Sequence, residues 1–256
     1  MLGIASTAGA EDPATAKDPW PDLAHSIFKD RPLLDGSRLI AIEMPYRAED
    51  AAIVPLTFRS TLPAGDARHL QAVTLVIDEN PSPVAAVFTF GPKAGVSAIS
   101  TRVRVDSYTN VHAVAELSDG KLYMVKTYVK AAGGCSAPAA KDANEAQANL
   151  GEMRFRQFAP ASPSAPREAQ LMIRHPNNSG LQMDQITHLY VPAFFIDDLK
   201  VWQGEDLVFA MEGGISISEN PSIRFTYTPN GAASFRARAA DIDKHVFKGE
   251  WPATGM

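Results

Sequence analysis

Apolar and polar residues alternate with a period of two in short segments from residue 38 onward. Residues 73–77, 101–105 and 223–227 are examples, with apolar or β-branched residues at every second position. This period is typical of strands that bury one side. Turn-forming pairs separate these segments: Asp119-Gly120, Gln203-Gly204, Asn230-Gly231, Asn80-Pro81 and Asn220-Pro221. Many short strands with such turns predict an all-β protein built from β-sandwiches.

One segment near the start of the chain follows a helical period instead. Between Pro21 and Asp30, the apolar residues Leu23, Ile27 and Phe28 stand at positions i, i+4 and i+5. Arg31-Pro32 follows, and a proline at this point ends a helix. The pattern therefore predicts a single short helix ahead of the strands.

The composition changes once along the chain, between residues 136 and 150. This stretch is rich in alanine, with Asp, Asn, Gln and Glu and one large apolar residue, and it separates two strand-rich blocks. Each block has roughly a hundred residues, the usual size of one sandwich. We interpret residues 1–18 as a tail, 19–135 as a first sandwich, 136–150 as a linker and 151–256 as a second sandwich. Asp142 to Glu145 also fits a capping box that opens a short helix within the linker.

Bulk composition limits the classes of partner. The 256 residues are 45% hydrophobic, which is enough for a sizeable core. The 24 basic and 29 acidic residues give a net charge of −5, which argues against nucleic acid as the main partner. No run approaches the roughly 18 apolar residues of a membrane helix. A single cysteine excludes an internal disulfide and a cysteine-based zinc site.

The first ten residues are small and apolar, and Ala8-Gly9-Ala10 has the form of a secretory cleavage site. Two interpretations follow. The segment is either a disordered N-terminal tail or the clipped end of an export signal, with the mature chain beginning near Glu11.

The only cysteine, Cys135, carries the candidate chemistry. Gly133 and Gly134 precede it and Ser136-Ala137 follows it, so its neighbours are small. We predict that Gly133 and Gly134 form a flexible arm that exposes the thiol as a nucleophile. The alternative is a tight turn at a strand end with a bystander cysteine. At its ordinary pKa of about 8.5, only a few per cent of such a thiol is thiolate near neutral pH.

Other polar residues give weaker signals. The histidines do not pair at metal-ligand spacing, and we predict surface or core roles for most of them, although a cysteine–histidine catalytic pair stays open. Arg102 and Arg104 alternate with apolar residues, so we predict that both lie on the solvent side of a strand. Gly213-Gly214 is expected in a turn or bulge. The sequence thus predicts no catalytic or metal-binding residue.

Both blocks resemble one family, in several short phrases that occur in the family's order. The first block resembles SoxY in three groups of phrases, and the second resembles SoxZ. The SoxY-like phrases are Ile42-Glu43-Met44-Pro45 with Ile53-Val54-Pro55-Leu56, Asp78 to Pro83 with Ser100 to Val105, and Val111 to Glu116 with Gly133-Gly134-Cys135. The SoxZ-like phrases are His175-Pro176, Gly180-Leu181, Val191 to Ile196 and Ser218 to Pro221. The chain is therefore similar to a fused SoxYZ sulfur carrier of the quinoprotein dehydrogenase-associated type.

The resemblance implies two immunoglobulin-like sandwiches in tandem, located in the periplasm. It also implies that Cys135 holds a sulfur substrate covalently while partner enzymes of sulfur oxidation, such as thiosulfate oxidation, act on it. No resident cofactor is implied beyond this adduct, and the protein itself is expected not to be an enzyme. In the two-subunit carrier, a Gly-Gly-Cys-Gly-Gly arm ends the SoxY chain. Here Cys135 is internal and is followed by Ser136-Ala137.

Two further expectations concern partners. An exposed Cys135 would also form a disulfide-linked homodimer in an oxidising compartment. The alternative function is an accessory module that binds a periplasmic quinoprotein (PQQ) dehydrogenase or its cytochrome through the sandwich surfaces.

Overall fold

The computed structural model describes residues 18–63, 65–138, 149–160 and 166–254. These residues belong to two compact units, one ending at Asp30 and the other beginning at Arg31. The Ala8-Gly9-Ala10 motif, nearly all of the predicted tail, and the capping box at residues 142–145 lie outside the described residues.

The first unit contains helix α1, which spans Trp20–Phe28. Pro21 lies in its first turn, where the missing N–H leaves no helical hydrogen bond unmade. Lys29 is the C-cap of the helix; its φ is 58° and its N–H donates to the carbonyl of His25 at 2.9 Å. The prediction of a short helix near the N-terminus is confirmed. Within the described residues, no helix combines the length and apolarity needed to cross a membrane.

The second unit is built from strands, as the two-residue period predicts. Their bounds are β1 (Leu33–Asp35), β2 (Ile40–Glu43), β3 (Val54–Ser60), β4 (Leu70–Ile77), β5 (Val84–Phe90), β6 (Ala98–Val103), β7 (Thr109–Leu117), β8 (Leu122–Val129), β9 (Met153–Phe158), β10 (Arg167–Ile173), β11 (Ile196–Gln203), β12 (Asp206–Gly213), β13 (Ser222–Tyr227), β14 (Ser234–Asp241) and β15 (Val246–Pro252). The three turn glycines predicted from sequence, Gly120, Gly204 and Gly231, all have positive φ, which is the conformation that glycine tolerates best.

The strands form two sheets, and each sheet contains strands from both halves of the chain. The larger sheet has the order β1-β8-β7-β4-β5-β12-β11-β14-β15, and the smaller has the order β2-β3-β6-β13-β10-β9. The N-terminal half supplies β1 to β8 and the C-terminal half supplies β9 to β15. The all-β, sandwich-type architecture is confirmed, and the two halves continue each other's sheets.

Two antiparallel strand pairs join the halves. β5 pairs with β12 from Phe90↔Phe209 to Ala86↔Gly213, and β6 pairs with β13 at Ser100↔Arg224 and Ile99↔Phe225. Each of these strands would otherwise present unpaired backbone groups at a sheet edge. The two halves therefore satisfy each other's edges.

The hydrophobic core also crosses this junction. Phe88 of the N-terminal half lies 6.1 Å, between ring centroids, from Phe209, which contacts Phe225 at 5.1 Å. All three rings are buried. Truncating such a buried ring costs about 3–5 kcal/mol, so we expect this cluster to contribute strongly to the association of the halves.

Candidate functional site

Cys135 lies in a turn of residues 133–137, which we call the Cys135 turn. The chain enters it from β8 through Lys130, and the turn runs beside the segment that follows β6. The N–H of Gly133 donates to the carbonyl of Asp106 at 2.8 Å, and the N–H of Gly134 donates to the carbonyl of Val105 at 3.0 Å. These backbone bonds attach the turn to its own half of the chain.

Both glycines are required by this closed geometry. Gly133 has φ 77°, a conformation that costs other residues roughly 1 kcal/mol or more. A Cβ on Gly134 would overlap the carbonyl oxygen of Ala51 and lie 2.6 Å from that of Val105. In this conformation the pair serves a tight, hydrogen-bonded turn, and its role in a moving arm stays a prediction.

The thiol of Cys135 is buried, with 0% of the residue exposed. The prediction of an exposed thiol is therefore wrong for this conformation. Its small neighbours do not loosen the segment; they let its backbone pack directly against the backbone of Ala51 and Val105. The sulfur cannot reach a second molecule from here, so the predicted disulfide dimer requires the turn to open.

The electrostatic surroundings keep the thiol protonated. Burial and, to a smaller extent, the carboxylate of Asp106 raise the pKa of Cys135 to about 12, against the opposing effect of the Arg104 guanidinium. The Oδ1 of Asp106 also accepts the N–H of Cys135 at 3.2 Å. Since the thiolate is the nucleophile, the closed turn holds Cys135 in an unreactive form.

Arg104 is the most deeply buried charged residue at this site, with 1% exposed. The prediction that it faces solvent is wrong, because β6 ends at Val103 and the strand alternation does not extend to Arg104. Its Nη1 donates to the carbonyl of Gly134 at 3.1 Å and its Nη2 to that of Asn177 at 3.3 Å. Burial lowers the pKa of this guanidinium. Arg102, two residues earlier, is only half-buried, and its Nη2 donates to the carbonyl of Asn220 at 3.1 Å.

The C-terminal half holds the opposite side of the turn through side chains. The hydroxyl of Ser179 donates to the carbonyl of Cys135, and Nε2 of Gln182 donates to the carbonyl of Ala137 at 3.0 Å. The two residues also contact each other, since Oε1 of Gln182 accepts the N–H of Ser179 at 3.0 Å. Sequence reasoning did not identify either residue, and no local pattern marks them.

Asn80 connects the two halves behind the turn. Its Nδ2 donates to the carbonyl of Arg104 at 2.8 Å and to the hydroxyl of Ser216 at 2.9 Å, and its Oδ1 accepts the N–H of Asp106 at 2.9 Å. This amide fixes the segment from which Arg104 and Asp106 reach the turn. Asn80 belongs to the Asn-Pro turn noted in the sequence, although its site role was not predicted.

Two buried histidines, His112 and His175, lie beside aspartates. His112 Nδ1 lies 2.9 Å from Asp78 Oδ1. His175 Nε2 lies 3.5 Å from Asp241 Oδ2, while its Nδ1 accepts the N–H of Asn177 at 3.1 Å. Burial lowers the pKa of His175 despite the neighbouring Asp241, so its imidazole is neutral and supports the Asn177 segment. The part of the chain that the structure describes contains no cluster of three potential metal ligands.

Exposed apolar side chains lie on the connection between β10 and β11, which also contacts the site. We call residues 177–195 the 177–195 loop; it contains Ser179 and Gln182. Three of its large side chains are strongly exposed: Ile186 (88%), Leu189 (68%) and Tyr190 (66%). Isolated antiparallel β-bridges between Met183 and Tyr190 and between Asn178 and Phe194 fold the loop back on itself.

Comparison with known proteins assigns a family to each half. The family model described as "Sulfur oxidation protein SoxY" matches residues 24–135, and the one described as "Sulphur oxidation protein SoxZ" matches residues 155–252. The SoxY match ends at Cys135. Among the curated proteins, none matches this chain.

Two solved structures are similar to part of the chain. The sulfur carrier protein SoxY from Chlorobium limicola f thiosulfatophilum is 27% identical, with a TM-score of 0.36, over 44% of this chain and 94% of that one. The superoxide reductase (neelaredoxin) from Ignicoccus hospitalis is 14% identical, with a TM-score of 0.32, over 43% of this chain and 90% of that one. On the two family matches, the chain belongs to the SoxYZ-like proteins of sulfur oxidation, as a SoxY domain and a SoxZ domain fused in one polypeptide.

Proposed function

We propose that this protein is a periplasmic carrier that binds a sulfur intermediate covalently on Cys135 and presents it to partner enzymes. One observation carries the proposal: the only thiol of the chain is the last residue of the SoxY match. The protein then takes part in its partners' reactions without catalysing them itself. Its partners are the enzymes of sulfur oxidation, thiosulfate oxidation among them.

The chemistry at Cys135 is the formation and cleavage of an S–S bond. With thiosulfate as cargo, Cys–SH and S₂O₃²⁻ give Cys–S–S–SO₃⁻, one proton and two electrons. The proton passes to solvent and the two electrons pass to a redox partner protein. The thiol must lose its proton in this step, and its pKa of about 12 in the closed turn opposes that loss.

Loading therefore requires the Cys135 turn to open. The bonds from Ser179 and Gln182 come from side chains, so they can break without disturbing a strand. Each such bond contributes about 0.5–1.5 kcal/mol net, which is small enough for a docking partner to offset. The closed turn then protects the thiol from adventitious oxidation between cycles, and a partner that opens it restores an ordinary, reactive thiol.

Intact-mass analysis tests the carrier function directly. Protein is isolated without reductant from cells grown on a reduced sulfur compound, and the wild type is compared with Cys135→Ser. We expect adducts on the wild type that add roughly 32 Da for each sulfur atom and roughly 16 Da for each oxygen atom, hence roughly 112 Da for the thiosulfate adduct, and none on the variant. An unmodified thiol under all growth conditions, from cells that oxidise the compound, would contradict covalent carriage.

The exposed side chains of the 177–195 loop favour a second candidate function. Ile186, Leu189 and Tyr190 form an apolar surface of the kind that marks protein interaction sites. An accessory module that docks a periplasmic quinoprotein dehydrogenase or its cytochrome would use such a surface without needing the thiol. Binding to the purified dehydrogenase separates the two functions: docking alone survives Cys135→Ser and is lost in Ile186→Asp. The exposed Val246→Asp, on β15, is the control.

A further inference from the structure

Arg104 is a buried cation whose charge is incompletely compensated. Its guanidinium donates to two backbone carbonyls, those of Gly134 and Asn177. Glu219 and Asp50 attract it, but within the described ranges neither carboxylate forms an ion pair with it. Moving a cation out of water without a close anion is energetically unfavourable. Buried charges in proteins are therefore normally paired with an opposite charge.

The guanidinium also has unused hydrogen-bonding capacity. It carries five N–H donors in a planar fork, and its buried Nε has no partner among the described residues. This fork matches the oxygens of a carboxylate, sulfonate or phosphate better than any other side chain does. A buried arginine with a free Nε is thus suited to an oxyanion.

The covalent attachment point lies beside this group. Nη1 of Arg104 is 3.1 Å from the carbonyl oxygen of Gly134, the residue that precedes Cys135. Its positive charge also acts on the sulfur, since it lowers the pKa of the Cys135 thiol against the effects of burial and Asp106. An anion tethered to the sulfur would therefore be attracted by the guanidinium.

Asp106 opposes negative charge on the sulfur atom itself. Its Oδ1 accepts the N–H of Cys135 at 3.2 Å, so the carboxylate lies on the backbone side of the residue. In a sulfonate-type adduct the charge is on oxygens that lie beyond the sulfur, and these are more bonds away from the Cys135 N–H that Asp106 contacts than the charge of a thiolate is.

We propose that Arg104 is the counter-ion of an oxyanion carried on Cys135, so that the site selects adducts that end in a negatively charged group. This inference rests on the proposed carrier function and adds the residue that positions the charged end of its cargo and so distinguishes charged from neutral adducts. The anion completes the pairing that Arg104 lacks in the unloaded protein. An uncharged group on the same sulfur leaves the guanidinium without a close anion.

A pair of adducts that differ chiefly in charge tests this directly. The full chain is alkylated on Cys135 with iodoacetate or iodoacetamide; in each case the sulfur displaces iodide and the thiol proton passes to buffer. Amide hydrogen exchange is then followed at residues 133–137. We expect exchange about tenfold slower in the carboxymethyl form than in the carbamidomethyl form, because a charge-assisted bond holds the turn closed.

Variants assign the difference to one residue. Arg104→Met is expected to abolish it, and Arg102→Met, on the same segment but only half-buried, is expected to keep it. Arg104→Lys retains the charge without the fork and is expected to keep a smaller difference, which also covers the case in which Arg104→Met does not fold. Equal or faster exchange in the wild-type carboxymethyl form, or a full difference in Arg104→Met, would overturn the proposal. Neither reagent supplies sulfur cargo, so this result is independent of the mass analysis that tests carriage.

Discussion

The Cys135 turn is held in two different ways on its two sides. On the side of its own half, the N–H groups of Gly133 and Gly134 bond to the backbone of Asp106 and Val105. On the side of the C-terminal half, the hydroxyl of Ser179 and the amide of Gln182 reach its carbonyls. The first attachment combines close backbone packing with bonds to the side chains of Asp106 and Arg104, whereas the second depends on two side chains. The difference indicates that the C-terminal side is the one that releases when the turn opens.

Gly134→Ala should produce the largest effect, because it breaks the backbone side. The new Cβ overlaps the carbonyl of Ala51, so the turn must move. We expect a loss of about 1–3 kcal/mol in the free energy of unfolding, together with rapid reaction of Cys135 with a thiol reagent. Urea unfolding and reagent kinetics measure the two effects.

Gly214→Ala is the matched control for that substitution. Its Cβ would meet the carbonyl of Val84 at 3.4 Å, an ordinary contact, so we expect little change in either measurement. A slow thiol reaction in folded Gly134→Ala would show that the backbone contact is not what holds the turn.

The pH dependence of stability should show the next largest effect. The folded pKa of Cys135, about 12, is raised above the unfolded value of 9.0. The buried neutral thiol therefore makes its full contribution to the free energy of unfolding below about pH 9. This contribution is lost as the pH rises from about 9 towards 12. The loss is at most about 1.4 kcal/mol per pH unit.

Lysines and tyrosines titrate in the same pH range as this thiol. Their contributions cancel in the difference in unfolding free energy between the wild type and Cys135→Ser, which leaves the contribution of the thiol. We expect a constant difference below pH 8.5 and a falling one above it. A difference that stays constant to pH 11 would mean that the thiol is exposed to solvent in the folded protein as well as in the unfolded one.

Ser179→Ala should have the smallest effect on global stability and a clear effect on opening. It removes the bond to the Cys135 carbonyl, together with the acceptor of the Leu181 N–H. The bond to the turn is worth about 1 kcal/mol, so the thiol should react about fivefold faster. The free energy of unfolding should change little compared with Gly134→Ala. The exposed Ser107, in the neighbouring 104–108 segment, provides the control Ser107→Ala. If Ser179→Ala destabilised the whole fold as much as Gly134→Ala, the two sides of the turn would not differ in the way proposed.

The parts of the fold that depend on local pattern were predictable from the sequence. Strands β4, β6 and β13 have a period of two, and α1 has the spacing of a helix. Both patterns depend only on residues a few positions apart in the sequence. The positive φ of Gly120, Gly204 and Gly231 follows from the same local chemistry.

The site was less predictable because its contacts are long-range. Ser179 meets the carbonyl of Cys135 across 44 positions of sequence, and Asn80 meets Ser216 across 136. Arg104 lies one residue beyond the end of β6, so the alternation that places Arg102 near solvent gives the wrong side for it. For Cys135, small neighbours are compatible with both a loose arm and a close-packed turn, and only the contact with Ala51 distinguishes them.

The pairing of β5 with β12 and of β6 with β13 has a consequence for stoichiometry. Two separate polypeptides joined by such strands would part on dilution, and each would expose sheet edges when alone. Here the partners are segments of one chain, so their encounter is intramolecular and independent of protein concentration. Every molecule therefore contains one thiol and one set of C-terminal side chains to cover it, however dilute the protein becomes.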